Sequence, residues 1–362
     1  MAQLLVTGGC GFIGSHLCEA LLAQGHQVRV LDDLSTGSPR NLAPGARLMV
    51  GSVNDADAVG RAMEGVDGCF HLAAIASVQR STEAWLASHR CNLSGAIAVL
   101  EAARAGRSRI IPIPVVYASS AAVYGMPLAC PLDEDAALRP LSAYGADKLG
   151  CELHARVAGL VHAVPTLGLR FFNVFGPRQD PLSPYSGVIS IFCERLSRQQ
   201  GIAIHGDGGQ TRDFVFVSDV VAALIGAMGA ASLEAPVFNV CTGRPTSVLE
   251  LAKMIGEVCG TQPAIDYLPT RTGDIRHSVG SMRRAREVME LAPSLALEAG
   301  LGRVIDWLRA GSPGLVAPLV TLRRRGKTSG RFVASSPAAR EGSALPPPQQ
   351  AGDAHPQGHR EQ

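Results

Sequence analysis

Tyr144 and Lys148 stand four residues apart in SAYGADKLG, residues 142–150. On a helix that spacing puts both side chains on one face, a turn apart. An ammonium beside a phenol favours the phenolate, a base able to take the proton of an alcohol. Solvated helix faces carry the same spacing without any chemistry, so the pair needs company. YASSAAVYG, residues 117–125, supplies it. Ser119 or Ser120 closes an apolar, strand-like run there. In parallel sheets ligands bind just outside such strand ends, where a hydroxyl can hydrogen-bond a reacting oxygen. Together these form a proton-transfer set. Tyr144 is the base or acid, Lys148 its cation, and a serine binds the reacting oxygen.

TGGCGFIGSHL, residues 7–17, follows a predicted strand and opens a predicted helix. Gly9, Gly11 and Gly14 fit G-x-G-x-x-G, and Gly8, Gly11 and Gly14 fit a three-residue spacing. Glycines there let the backbone turn tightly and approach a pyrophosphate lying on the helix N-terminus. A glycine-rich turn with no ligand has the same look. Asp32, however, ends the second predicted strand 21 residues after Gly11. A carboxylate at that place can accept hydrogen bonds from the adenosine ribose hydroxyls and would repel a 2′-phosphate, which favours NAD over NADP. The plainer reading of Asp32 is a turn acid or a helix cap.

The elements that must position these residues are legible in part. LLVTG, VRVLDD and CFHLAA read as buried strands; GSHLCEALLAQG and NLSGAIAVLEAARAG read as helices. That βαβα rhythm predicts a parallel sheet covered on both faces, an α/β Rossmann-like, doubly wound fold. Pro112 and Pro114 cannot sit in a central strand, so the strand leading to Ser120 is expected to start near Val115. Beyond Gly176 the chain is richer in Gly and Pro, and PRQDPLSPYSG and HGDGGQTRD read as loops. VFNVCTG reads as a further short strand and SVLELAKMIGEVCG as a helix. The expected organisation is a dinucleotide-binding domain over 1–175, to which later segments return, and a smaller substrate lobe mainly over 176–310. Residues 311–362 are rich in Pro, Ala, Gly, Ser and Arg and read as a disordered tail.

Composition narrows the class. Among 362 residues, 46% are hydrophobic and 18% charged, as in a globular protein with a sizeable core. No run of about 18 uninterrupted apolar residues occurs, so no membrane span is expected. The start, MAQLLVTGG, lacks the features of a signal peptide. Nine cysteines, an odd number without a CxxC pair, favour reduced thiols in the cytoplasm over a disulfide framework or a zinc site. No metal is expected. The net charge is +2, but seven Arg or Lys against three acids after residue 310 put +4 in the tail and −2 on the rest. That argues against nucleic acid as a partner.

TGGCGFIGSH, LDDLSTG, HLAA, NLSG, SSAAVYG, YGADK and RFFNVFGPRQDP, in this order, resemble the extended short-chain dehydrogenase/reductase family. They are most similar to its nucleotide-sugar 4-epimerases, the UDP-glucose 4-epimerase group, from residue 1 to about 310. The resemblance implies Ser120 as the catalytic serine, Tyr144 as the base and Lys148 as its partner. It implies NAD contacts from Gly8, Gly11, Phe12, Ile13, Gly14, Asp32, Asp33, Ser52, Val53, Leu72, Ala73, Ala74, Asn92 and Ser119, beside Tyr144 and Lys148. It implies substrate contacts from Ser120, Tyr144, Asn173, Val188, His205, Arg212, Arg271, Asp274 and Ser278. Arg212 precedes an apolar strand, where a planar guanidinium can hold a diphosphate by two parallel hydrogen bonds. For Arg271 a surface salt bridge is an equal alternative. The family's frequent GD after the third strand is Gly51 and Ser52 here, which weakens one adenine contact without excluding it. A homodimer joined through two helices, one bearing Tyr144, is also what the resemblance implies.

Relatives on this scaffold epimerise, dehydrate or decarboxylate. Dehydratases need an Asp-Glu pair after the catalytic hydroxyl residue, and decarboxylases usually carry a Glu. Ala121 and Ala122 follow Ser120, so elimination lacks its acid and base. The expected reaction is reversible oxidation at C4 of a UDP-hexose, with NAD retained. The alternative is another nucleotide-sugar reductase or epimerase of the same family. A bulky residue at the position aligned with Ser278 restricts the hexose pocket in this family, and a small one leaves room for an N-acetyl group. Ser278 therefore admits UDP-GlcNAc and UDP-GalNAc beside UDP-glucose and UDP-galactose, unless it merely lies in a loop.

Overall fold

The computed structural model describes residues 1–312, except 105–110, 128, 182–186, 271–274 and 292–294. Thirteen strands run in chain order among the described residues. They are β1 (Gln3–Thr7), β2 (Gln27–Asp32), β3 (Arg47–Val50), β4 (Gly68–His71), β5 (Val115–Ser120), β6 (Thr166–Phe171), β7 (Asn173–Phe175), β8 (Ile202–His205), β9 (Thr211–Phe216), β10 (Val237–Val240), β11 (Pro245–Ser247), β12 (Ile265–Leu268) and β13 (His277–Ser278). Seven of them form one sheet in the order β10-β6-β5-β4-β1-β2-β3. Every pairing in it is parallel. The direction of winding reverses at β1, between β2 and β4, which opens a crevice at the C-terminal strand ends.

Alternation along the strands builds the two faces. Leu4 and Val6 enter one apolar cluster with Leu17, Leu21 and Leu224. Leu5, between them, enters another with Val59, Val99 and Ala155. Side chains two apart share a face, so one strand feeds both layers of helix. β5 starts at Val115, directly after Pro114, because a proline can accept but not donate within the ladder. Its carbonyl accepts the Cys69 N–H at 2.9 Å.

The second half of the chain adds smaller pieces. β9 is central to one of them. β11 pairs it antiparallel, and β7 and β13 pair it parallel. β8 pairs with β12 alone. Phe175, Phe192, Phe214, Phe216, Leu251 and Leu301 are among the residues of a third apolar cluster beneath these strands. One departure from the expected helix over NLSGAIAVLEAARAG is a π turn at Arg90–Ser94 before the α-helix Gly95–Ala102. Such turns carry an extra residue per turn and recur at functional sites. No helix among the described residues is long and apolar enough to cross a membrane.

Candidate active site

The turn after β1 leaves no room for side chains. Gly8 has φ +72°, and a Cβ on Gly14 would lie 2.2 Å from the Gly8 carbonyl oxygen. Only glycine at both places lets the helix Phe12–Ala23 press onto the turn. Gly11 caps that helix without a side-chain hydrogen bond, so its first amides remain available to an anion. Phe12 and Ile13 form its first turn. Asp32, 7% exposed, accepts from the N–H of Cys10 at 2.9 Å and of Leu34 at 2.8 Å. Burial raises its carboxyl above the ordinary carboxylate range, and the two amides pull it back. The ends of β2 and β3 stay beside it, because Gly51 N–H donates to the Asp32 carbonyl at 3.0 Å, as in a ladder bond. Asp33 and Ser52 accept from Ser35 and Asn54 amides nearby. The naked turn, the free helix start and the carboxylate at the next strand end fit a dinucleotide.

The loop after β4 is pinned from both sides. Thr7 Oγ1 accepts from the N–H of Leu72 and Ala73, each at 3.2 Å, and meets His71 Nδ1 at 2.8 Å. Asn92, in the π turn, accepts from Ile75 N–H at 2.7 Å and donates to its carbonyl at 3.3 Å. Ala74 lies between these fixed points. Asn92 is thus a clamp on the loop, and its amide already has backbone partners. Val53 is a core residue, 4% exposed, set against Gly95.

The reactive set is brought together by one helix and one strand end. Ser142 caps the helix Ala143–His162 by accepting from Gly145 N–H at 3.1 Å. Tyr144 donates its own N–H to Ser81 Oγ at 3.2 Å. A Cβ on Gly145 would come within 2.6 Å of the Ala122 carbonyl oxygen, so this helix start lies against the turn that follows Ser120. Lys148 is 3% exposed, donates to the Ala118 carbonyl at 2.9 Å and has its Nζ 5.9 Å from the Tyr144 ring centre. The expected helical juxtaposition therefore exists. Ser120 and Ser119 part company, as neighbours on a strand must. Ser120 Oγ accepts from Ala122 N–H at 3.1 Å and stays partly exposed. Ser119 is buried and donates to Glu152 Oε1 at 2.5 Å. The Ser119 hydroxyl is thus held inside the protein.

Three expected substrate residues share the small sheet. Arg212 and Ser278 are register partners across β9 and β13, and Asn173 is paired with Phe214. Arg212 also donates to the Thr211 carbonyl at 2.9 Å. His205 ends β8, with Nδ1 3.0 Å from the Pro269 carbonyl, and Val188 opens the helix Val188–Ser197. Arg271 and Asp274 lie outside the described residues. Among the described residues, no group of three His, Cys, Asp or Glu is placed to hold a metal. All nine cysteines are free thiols. Sequence reading missed Thr7, Ser81, Glu152 and Arg170. Glu152 carried a faint signal, since it follows Lys148 by one further helical turn.

Residues 4–241 match the model of the NAD dependent epimerase/dehydratase family. UDP-glucose 4-epimerase of Mycolicibacterium smegmatis is 39% identical over 314 residues, covering 85% of this chain and 98% of that protein. The structure of UDP-glucose 4-epimerase from Thermotoga maritima with UDP-glucose superposes with TM-score 0.80 at 34% identity, covering 85% of this chain and 99% of that one. UDP-N-acetylglucosamine 4-epimerase from Methanobrevibacter ruminantium M1, in complex with UDP-N-acetylmuramic acid, gives TM-score 0.80 at 32% identity, covering 86% and 99%. With its sheet order, glycine turn and Tyr144–Lys148 pair, the chain belongs to the NAD-dependent epimerase/dehydratase family.

Proposed function

We propose that this protein is an NAD-dependent 4-epimerase of UDP-hexoses. One observation carries the reading: Lys148 is fixed beside Tyr144 at the end of β5, where Ser120 is followed by Ala121 and Ala122. That set can move a proton at an alcohol but has no carboxylate for elimination.

The phosphate turn and Asp32 hold NAD. When bound, NAD would supply a reversible hydride acceptor for C4 of the sugar. Tyr144 takes the C4 hydroxyl proton and later gives it back. Lys148 stabilises the phenolate by charge, and the Ala118 carbonyl keeps its ammonium in place. Ser120 donates to the C4 oxygen. The 4-keto sugar turns over in the pocket and is reduced on its other face. Arg212 and Asn173 hold the nucleotide diphosphate during that turn, with His205, Val188, Arg271 and Asp274 around the nucleotide. These contacts belong to a substrate lobe formed mainly by residues 176–310, set against a dinucleotide domain over 1–175. Ser278, beside Arg212, leaves space for an N-acetyl group.

The exposed apolar stripe on the helix Ala143–His162 supports a homodimer, and the free thiols suit the cytoplasm. The reading is tested by incubating the purified protein with UDP-glucose and with UDP-GlcNAc and resolving the C4 epimers. Interconversion without added cofactor is expected, together with a Tyr144→Phe variant that is slower by about 10²–10⁴-fold and still carries NAD. Stoichiometric consumption of NADH would instead mark a reductase.

A further inference from the structure

Ser119, Arg170 and Asn239 occupy one rung of the main sheet. Ser119 is the register partner of Arg170 across β5 and β6, and Arg170 of Asn239 across β6 and β10. All three are buried, with exposures of 2%, 4% and 0%. Arg170 grips both carboxylate oxygens of Glu152, Nε to Oε1 at 2.9 Å and Nη2 to Oε2 at 2.8 Å. Its Nη1 donates to the Tyr124 hydroxyl at 2.8 Å, and that hydroxyl donates to Asn239 Oδ1 at 2.7 Å. Ser119 Oγ completes the web by donating to Glu152 Oε1.

Stability alone is a poor reason for such a web. Taking two charges out of water costs about as much as their attraction returns, and a matched apolar pair often serves a fold as well. Its placement is more telling. Ser119 comes directly before Ser120. Tyr124 ends the turn Ala121–Tyr124 directly after Ser120. Glu152 follows Lys148 by four residues on the helix that bears Tyr144. Arg170 therefore ties both chain segments flanking Ser120, and that helix, to one planar guanidinium. The Lys148–Ala118 hydrogen bond makes a second tie between the same helix and strand.

We infer that Glu152 and Arg170, with Ser119 and Tyr124 as their links, are positioning residues that set the distance between Ser120 and Tyr144. The inference rests on the proposed 4-epimerase reading. Neither charge touches substrate; each acts through the elements it joins. A misplacement of about 1 Å between reacting groups can cost on the order of 10²-fold in rate.

Two variants test this. Glu152→Met with Arg170→Met removes both charges together and leaves an apolar pair of similar length. Ser119→Ala deletes one link and keeps the ion pair. Both are assayed for UDP-glucose to UDP-galactose turnover, with the thermal midpoint and the bound NAD measured on the same samples. In the double variant kcat is expected to fall by about tenfold or more while KM changes less than about threefold. Ser119→Ala is expected to fall about threefold or more with the same split. NAD content stays at the wild-type level. The inference is overturned if folded Ser119→Ala and a folded double variant both keep kcat within about twofold of wild type, or if the loss lies in KM alone. Should the double variant not fold, Ser119→Ala decides by the same criteria. A wild type that fails to interconvert the two sugars overturns the functional reading itself, and this inference with it. An active wild type with unaffected variants overturns the inference only.

Discussion

His71 ends β4 at 4% exposure, with Nδ1 2.8 Å from Thr7 Oγ1. Burial, helped by the positive charge of Lys148, lowers its pKa to about 3. Tyr117 and Cys151 line the same small cavity, and burial keeps both protonated. Between pH 6.5 and 3 the unfolded imidazole carries a proton that the folded one does not. The stability from keeping His71 neutral is therefore complete above pH 6.5 and is lost as pH falls toward 3. The slope is about 1.4 kcal/mol per pH unit, or about 2 kcal/mol by pH 5. Asp32 and Asp213 have raised carboxyls and work in the opposite direction, so one variant must isolate the histidine. His71→Asn is expected to lose less of its thermal midpoint than wild type between pH 7 and pH 5. Equal losses would mean that His71 does not set the acid response. At this scale the sequence showed Tyr144 and Lys148 because four residues of helix bring them together. It left Ser119 and Ser120 open, since the pleat decides which faces the crevice and the partner, Glu152, is 33 residues away.

Elements were legible where their neighbours in sequence are also their neighbours in space. β1, the glycine turn and the helix Phe12–Ala23 form one unit, and Pro114 fixes the start of β5. β13 was not legible as a strand. It has two residues, too few for any periodicity, and exists because β9 offers it a partner. The Thr211 hydroxyl and His277 Nδ1, 2.9 Å apart, hold the register that puts Ser278 opposite Arg212. The side chain at 278 is thus placed by a fixed strand beside a cation suited to a diphosphate. A larger group there should fill space that an N-acetyl substituent needs. Ser278→Tyr is expected to reduce turnover of UDP-GlcNAc by about tenfold more than turnover of UDP-glucose. Equal loss on both sugars would show that position 278 shapes the pocket without selecting between them.

At the scale of the molecule, the parallel sheet and its reversal at β1 follow from a βαβα rhythm that composition alone cannot hide. The long polar web around Arg170 was invisible, because its members come from β5, β6, β10 and a helix far apart in sequence. The helix Ala143–His162 poses a further question. Its inner face touches the sheet, yet Leu153, Val157, Leu160 and Val161 are 59%, 48%, 71% and 67% exposed. They recur at i, i+4, i+7 and i+8, one apolar stripe along a surface helix. Trp85 at 68% and Ile97 at 37% lie on helices that pack beside it. Exposed apolar surface of this kind is costly in water and is a candidate interface. A second copy of the chain offers the identical stripe, and two such stripes related by a two-fold axis cover each other. Light scattering at micromolar concentration is expected to give twice the mass of one chain. Leu160→Glu puts a charge at the most exposed point of the stripe and is expected to give the single-chain mass, with a lower thermal midpoint. Because the same helix carries Tyr144 in its first turn, loosening it should also slow turnover. A wild type that stays at the single-chain mass would leave the stripe bare, and the two-fold arrangement would be wrong.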